Sequence, residues 1–559
     1  MDNYAIAKHF SFLSRLMDVH GENSFKSKTY SIAAYKIEQL TVELQTLSKE
    51  EIFSINGIGN AIGNKIIELI GTGKMKVLEE LISKTPEGIL EMMKIKGLGP
   101  KKISIIWKEM EVESVGELLY ACHENRLSLM KGFGKKTQQN VIESIEFYQT
   151  QQGNYLYAQV EQLAKEIETL LHRIFDTEQI AITGSFARQL ETVEELEFVI
   201  ALPIKNIVDK VSLIPEFEVT EQTEGYVLYK YNNGIRIKFY TSEKNFFAKV
   251  CVDTSATAEF TDALDKYISN SSSEISNAQS GEEIFYRLGL QFIPSCLRER
   301  STIIDVAAEK KIPDIIKNED IKGIIHCHSN WSDGSNTVEE LAKACIRKGY
   351  EYLVISDHSK AAYYAQGLSE DQIEAQHALI GELNDKLKPF RIFKSIESDI
   401  LNDGSLDYSN SILSTFDLVI ASVHSNLKMN EEKAMGRLIS AIENPYTNIL
   451  GHMTGRLLLS RKGYPVDHKK VIDACAANNV VIEINAHPRR LDMDWRWLEY
   501  ALSKNIIVSI DPDAHSIEEF DNTKYGVLVA QKGMVTAKDN LSSFSLSEFE
   551  KFLRKSKTK

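Results

Sequence analysis

Ile321-Lys322-Gly323-Ile324-Ile325-His326-Cys327-His328 sets an apolar run directly before two histidines one residue apart. Downstream, apolar runs at 352–356, 392–396, 418–423, 448–450, 480–484 and 506–510 alternate with amphipathic segments such as 338–348. Seven short apolar runs separated by helices predict a parallel (β/α)7 barrel. Just past nearly every run stands a metal-ligand side chain. His326 and His328 follow the first, with Asp333 in the loop; His358 follows the second, Glu397 the third, His424 the fourth, His452 the fifth, and Asp513 with His515 the seventh. In a parallel barrel these strand ends share one rim, so the nine N and O ligands should converge. One histidine would read as structural; nine ligands at equivalent positions predict a metal centre. His377 and His468, on predicted helices, read as structural, and His487, beside Asn485, reads as a substrate contact.

The remaining 559-residue chain is ordinary globular sequence, 43% hydrophobic and 26% charged, and long enough for several domains. No apolar run reaches the roughly 18 residues of a membrane span, and Met1-Asp2-Asn3-Tyr4 does not open a signal peptide. A cytoplasmic protein without membrane contact is expected. Six scattered Cys form no C-x-x-C pair, which argues against a disulfide framework or thiolate zinc site. The net charge of −14 is uneven: residues 1–150 balance at 0, residues 151–320 carry −11 and residues 321–559 carry −3.

Within 1–150, three glycine turns recur, each before a helical stretch: Gly57-Ile58-Gly59, Gly97-Leu98-Gly99 and Gly132-Phe133-Gly134. This is the helix-hairpin-helix pattern, in which paired glycines let backbone N–H groups at a helix start approach a phosphate. Lys101-Lys102 and Lys135-Lys136 follow two of the turns, so a sequence-independent grip on the DNA backbone is expected. Residues 151–320 read as a mixed α/β unit, with a long helix over 157–174, strands near 180–183, 198–201, 226–231 and 235–240, and a loop over 269–280. The charged stretch 301–320, which contains Pro313, reads as the approach to the barrel.

The rim residues resemble the PHP (polymerase and histidinol phosphatase) domain, with all nine ligand positions of its trinuclear site filled. The resemblance implies that His326, His328, Glu397 and Asp513 hold one ion. Glu397 would bridge to a second bound by His424 and His452, and Asp333, His358 and His515 would hold a third. The donor mixture suits Mn²⁺, Zn²⁺ or Fe²⁺. Arg456, in Gly451-His-Met-Thr-Gly-Arg456, is expected as a phosphate clamp.

Taken whole, the chain resembles the bacterial family X (DNA polymerase beta-like) polymerases with a C-terminal PHP domain. That resemblance implies a multidomain α/β protein. A lyase-like helical domain would span 1–82, a fingers-like one 83–153, a nucleotidyltransferase-like palm 154–241, a thumb 242–305, a linker 306–320 and the PHP barrel 321–559. Lys65 matches the family's Schiff-base lysine, although a nearby family lysine is here Ala61. In the palm, Gly184-Ser185, Arg188 and Glu191-Thr192 match the nucleotidyltransferase motif. The two following aspartates are replaced by Glu195 and Glu197, and the third carboxylate by Lys238. The nucleotide-binding Tyr-Phe-Thr-Gly-Ser run is here Cys251-Val252-Asp253-Thr254-Ser255. No Mg²⁺ is expected at this palm.

The expected function is a monomeric DNA-repair protein acting on gapped, nicked or recessed 3′ ends. Its barrel would be a metal-dependent 3′–5′ exonuclease, with abasic-site or 3′-phosphate hydrolysis as possible extensions and polymerase activity weak or lost. The rivals are a gap-filling polymerase using Glu195 and Glu197, a non-catalytic DNA scaffold, and a small-molecule phosphoesterase.

Overall fold

In a computed structural model of the chain, residues 1–95, 97–149, 153–232, 234–271 and 274–556 are described. Lys96, before the second glycine turn, and residues 272–273 of the expected 269–280 loop lie outside them. The chain forms two compact units: Met1–Cys122 with Leu127–Tyr148, and His123–Arg126 with Gln149–Lys559. No helix among the described residues is long and apolar enough to cross a membrane.

The smaller unit is helical, and one apolar cluster runs through it from Ile6 to Ile145, joining the segments expected as separate domains at 1–82 and 83–153 in a single core. Its three glycine turns share one backbone geometry: Gly57, Gly97 and Gly132 have φ of +90°, +92° and +89°. Side chains rarely adopt that region, which explains the glycines. The middle residues Ile58, Leu98 and Phe133 are buried in the core, anchoring each turn. Helices Asn60–Thr72, Pro100–Lys108 and Lys135–Gln149 start immediately after the turns. A Cβ at Gly59, Gly99 or Gly134 would meet nothing within 4 Å, so all three helix starts have open space beside them.

The larger unit contains helix Tyr157–Ile174, whose Val160, Ala164, Ile167 and Leu171 form one buried stripe. It packs on a five-stranded sheet of β1 (Ile180–Thr183), β2 (Glu195–Ile200), β3 (Phe217–Gln222), β4 (Tyr226–Tyr231) and β5 (Arg236–Thr241). The strand order is β1-β2-β5-β4-β3, with β2 and β5 parallel and the other pairs antiparallel. Edge strand β3 is an addition to the expected set.

The charged stretch 301–320, which includes the expected linker, is no free tether. Ile303, Ile304, Ala307 and Ile312 join the apolar cluster of the thumb, and Ile316 joins that of the barrel. The Ile316 N–H also donates to the Val535 carbonyl at 2.9 Å. Burial of these five apolar residues outweighs the charge and the proline that suggest a linker.

A second tie within this unit is Glu161, which accepts hydrogen bonds from Lys165 and Lys524 at 2.8 Å and from Tyr525 at 3.1 Å. Burial alone would raise its carboxyl, but these donors outweigh it and hold the pKa at about 2. A depressed folded-state pKa contributes stability above the unfolded value of 4.5 that is lost as pH falls towards 2. Glu161→Gln is therefore expected to lower the unfolding midpoint at pH 7, and the gap to the wild type should close between pH 4.5 and 2. Denaturant unfolding across that range reads it.

The barrel consists of β6 (Gly323–Cys327), β7 (Tyr352–Ile355), β8 (Arg391–Asp399), β9 (Leu418–Ser422), β10 (Ile449–Leu450), β11 (Val481–Asn485) and β12 (Val508–Asp511). All seven are parallel and pair in sequence order. Every residue of β6, β7, β9, β11 and β12 is buried, as strands covered on both faces must be. The first and last strands meet through one parallel bridge, Cys327 with Ala514, so the ring is nearly closed. Helices return the chain between strands; the first, Val338–Lys348, begins with a Thr337/Glu340 capping box and ends on left-handed Gly349.

Candidate metal centre

All nine rim residues face one another at the C-terminal ends of the barrel strands. Glu397, on β8, is the hub: its carboxylate lies 3.2 Å from His326 Nε2, 2.9 Å from His358 Nδ1, 3.2 Å from His424 Nε2 and 3.0 Å from His452 Nε2. Asp513 Oδ1 lies 3.4 Å from His326 Nε2 and 3.2 Å from His328 Nε2. Asp333 lies 3.5 Å from His358 Nε2 and 3.6 Å from His515 Nε2. Three groups have ligand atoms close enough to share an ion: His328, Asp333, His358 and His515; His326, His328 and Asp513; and His358, Glu397 and His424.

The donor set fits divalent ions. Two ligands each about 2.1 Å from one ion, at tetrahedral or right angles, stand roughly 3.0–3.4 Å apart, which is the spacing of most of these pairs. Buried His326 Nε2, His328 Nδ1, His358 Nδ1, His515 Nε2, Asp333 Oδ2 and Glu397 Oε2 have no aligned hydrogen-bond partner. Orphaned buried polar atoms are costly, and a shared ion removes the cost for all of them.

Backbone detail aims these side chains. The pairing register of β6 with β7 shifts between Ile324 and Cys327, and His326 takes φ +57° there. Asp513 has φ +52°. These left-handed positions turn their side chains to the barrel axis at the ends of the first and last strands, a strain characteristic of functional sites. Asp357 accepts from Ser329 N–H at 2.8 Å and from Gln376 Nε2 at 2.7 Å, pinning the loop between His328 and Asp333. Buried Arg437 donates to the carbonyls of Ile400, Leu401 and Ser425, tying the loops after β8 and β9 and hence His424.

Burial opposes ionisation of Glu397, but His424, His326 and His358 outweigh it and hold the carboxyl well below its usual range. Asp333 and Asp513 are likewise held down by facing imidazoles against the effect of burial. In return, and again against burial, carboxylates push His424 up to about 9 and His515 up to about 10.

Arg456 departs from the expected clamp. Its Nη1 bonds Asp494 at 2.6 Å, its Nε donates to the Arg490 carbonyl at 3.0 Å, and its Nη2 donates to the Leu491 carbonyl and lies 3.6 Å from Glu191. With these donors committed, it fastens the loop after β11 to the palm instead of gripping a phosphate. An arginine beside the cluster is Arg490, buried, with Nε 3.7 Å from Asp513 Oδ2 and Nη2 3.9 Å from Glu124. Sequence reading passed over it because no strand run points to it. His487 is buried near the rim, and burial above all pushes its pKa well down, so its ring is neutral. His377 packs edge-on against Phe416 and His468 stacks on Trp497, both structural roles.

In the palm, β2 and β5 set Glu195 beside Arg236 and Glu197 beside Lys238 in register. Lys238 Nζ binds Glu195 at 2.7 Å and lies over the rings of Tyr226 and Tyr240. Glu197 accepts from Tyr240 OH at 2.9 Å and from Ser185 N–H at 3.2 Å, packed against Gly184. Arg188 is held by Glu299 at 3.3 Å. The Cys251–Ser255 run lies at the end of helix Phe247–Thr254, where Asp253 pairs with Lys249 at 2.6 Å. Lys65 lies in helix Asn60–Thr72, half-buried.

A near-closed parallel barrel with this rim defines a PHP-class protein, and residues 325–487 match the family described as PHP domain. Residues 1–75 match the Helix-hairpin-helix domain and residues 89–146 the SAM-like Helix-hairpin-helix tandem. The chain is 33% identical to the DNA polymerase/3'-5' exonuclease PolX of Bacillus subtilis (strain 168), over 96% of this chain and 97% of that protein. Over 29% of this chain it is 29% identical to a probable phosphatase of Caldanaerobacter subterraneus subsp. tengcongensis, covering 60% of that protein. Over a similar 29% it is 30% identical to a probable phosphatase of Thermoanaerobacter sp. (strain X514), covering 62% of it. The chain belongs to the PolX family, the bacterial family X DNA polymerases that carry a C-terminal PHP domain.

Proposed function

We propose that this chain works as a metal-dependent 3′–5′ exonuclease on gapped, nicked or recessed DNA ends, with hydrolysis centred on the PHP rim and polymerase activity lost. The observation that carries this reading is the nine-ligand rim with its orphaned buried atoms. His326, His328, Glu397 and Asp513 would hold one ion, Glu397, His424 and His452 a second, and Asp333, His358 and His515 a third. When bound, such ions acidify water and neutralise charge on a phosphodiester. His487, buried near the rim, would contact the terminal nucleotide. Release of mononucleotides from a 3′-labelled recessed duplex in Mn²⁺, abolished by chelation, is the expected result. Faster turnover on histidinol phosphate than on DNA would favour the small-molecule reading instead.

The helix-hairpin-helix turns would supply the DNA grip through Gly57, Gly59, Gly97, Gly99, Gly132 and Gly134, with Lys101 and Lys102 adding charge. Open space at the three helix starts supports this, because a phosphate must reach the N–H groups there. Each lysine lost from a phosphate contact reduces the slope of log affinity against log salt by about 0.9. The double substitution Lys101→Ala with Lys102→Ala should therefore weaken binding alike for unrelated sequences and reduce the slope by nearly two. A salt titration of binding to two unrelated duplexes measures both effects.

Loss of polymerase activity rests on Lys238, whose ammonium is bonded to Glu195, one of the two carboxylates that would bind metal. Lys65 remains a candidate Schiff-base lysine, tested by borohydride trapping on abasic DNA with Lys65→Ala as control.

A further inference from the structure

Glu483 lies outside the nine-residue rim. It sits in the middle of β11, fully buried between Ile482 and Ile484, and its carboxylate points into the barrel. One oxygen contacts His326 Nδ1. The other accepts the His452 backbone N–H at 2.6 Å and Asn485 Nδ2 at 3.2 Å. Asn485 in turn donates to Asp513 Oδ2 at 3.0 Å. One carboxylate thus reaches three of the rim ligands, from the first, fifth and seventh strands.

A buried carboxylate is costly unless its oxygens are satisfied, so its presence here needs a purpose beyond packing. We propose that Glu483 is a positioning residue for the metal centre: by accepting a hydrogen bond from His326 Nδ1–H, it fixes the ring tautomer that turns the Nε2 lone pair towards Glu397 and Asp513, and it locks the His452 backbone beside it. The inference rests on the metal-centre reading above. A carboxylate behind a ligating imidazole both orients the ring and raises its basicity, and its loss typically costs about 10–100-fold in metal affinity.

The discriminating substitution is Glu483→Gln, which keeps the shape. A carboxylate offers an acceptor oxygen to each of two donors, His326 Nδ1–H and His452 N–H, whereas an amide offers one oxygen and sets an N–H₂ against the second donor. Mn²⁺ titration of the metal-free full-length chain by calorimetry should show at least one ion weakened about 10–100-fold in Glu483→Gln. In a His326→Ala background the same substitution should add much less, because the ring it positions is gone. A merely structural role predicts the reverse: a lower melting temperature of the metal-free variant with ion affinities unchanged, which would overturn the proposal. Should the variant fail to fold, ¹⁵N-histidine spectra of the Zn²⁺-loaded wild type decide it. His326, assigned through His326→Gln, should carry its proton on Nδ1, and a proton on Nε2 would overturn the proposal. A wild-type chain that takes up no divalent ion would overturn the metal-centre reading itself, a result distinct from unchanged affinity in Glu483→Gln.

Discussion

Asp513→Ala is expected to abolish 3′-end hydrolysis while leaving DNA affinity nearly unchanged. Asp513 Oδ1 faces both His326 and His328, so its removal takes one of two anionic donors from the proposed site and leaves Glu397 with two imidazoles. The loss should exceed the roughly 10–100-fold typical of an outer-shell partner, because here the ligand itself goes. Alanine also disfavours the +52° backbone at this position, and Asp513→Asn separates the two effects, since asparagine tolerates that region and removes only the charge. Single-turnover assays on a recessed duplex, paired with gel-shift affinity, should show both variants inactive and both still bound. Unchanged turnover in either variant would mean that the hydrolytic site lies elsewhere.

Equally large is the expected absence of primer extension, and its persistence in Lys238→Asp. Lys238 and Glu195 form a half-buried pair at 2.7 Å. A metal cation brought within about 4 Å of that ammonium meets repulsion on the order of 4 kcal/mol per unit charge at an effective dielectric of 20. Glu197 offers little compensation: burial, with Glu195 beside it, pushes its carboxyl pKa up, and Tyr240 and Ser185 already occupy its oxygens. Exchanging Lys238 for aspartate removes the repulsion but leaves Cys251–Ser255, a run without an aromatic residue, at a helix end. Nucleotidyl transfer depends on alignment of the reacting groups, so extension should stay below detection with Mg²⁺ and with Mn²⁺. Template-directed incorporation by the unmodified chain that disappears in Glu195→Gln and Glu197→Gln would establish a working glutamate site and reject this expectation.

The barrel was readable because parallel strands covered on both faces leave continuous apolar runs, and because ligands at strand ends punctuate them. Strand β3 escaped notice for the opposite reason: in Phe217-Glu-Val-Thr-Glu-Gln222 only Phe217 is buried, so an edge strand reads as polar coil. The stretch before the barrel misled because Pro313 and its charges stand among Ile303, Ile304, Ile312 and Ile316, whose spacing fits no single period. Arg456 misled through chain proximity to His452, whereas its direction is set by Asp494 and two loop carbonyls. Glu483 did leave a trace, an acid within Val480-Val-Ile-Glu-Ile484, but a run scored for apolar character averages it away. The bulge at His326 left none, since β-region and left-handed backbone give the same letter in the sequence.

The single bridge between Cys327 and Ala514 has a bearing on how the chain is made. His326 and His328 emerge from the ribosome nearly two hundred residues before Asp513 and His515, yet the ring closes between these two pairs. Until the last strand arrives, the early histidines line an open trough, and any ion they capture lacks its final anionic donor. On the metal-centre reading proposed above, metal loading and circular closure would be one late event, and ions bridging the two pairs would act as a clasp across the seam of the barrel. A chain that stops short of His515 would keep most of its apolar sheet and none of that fastening.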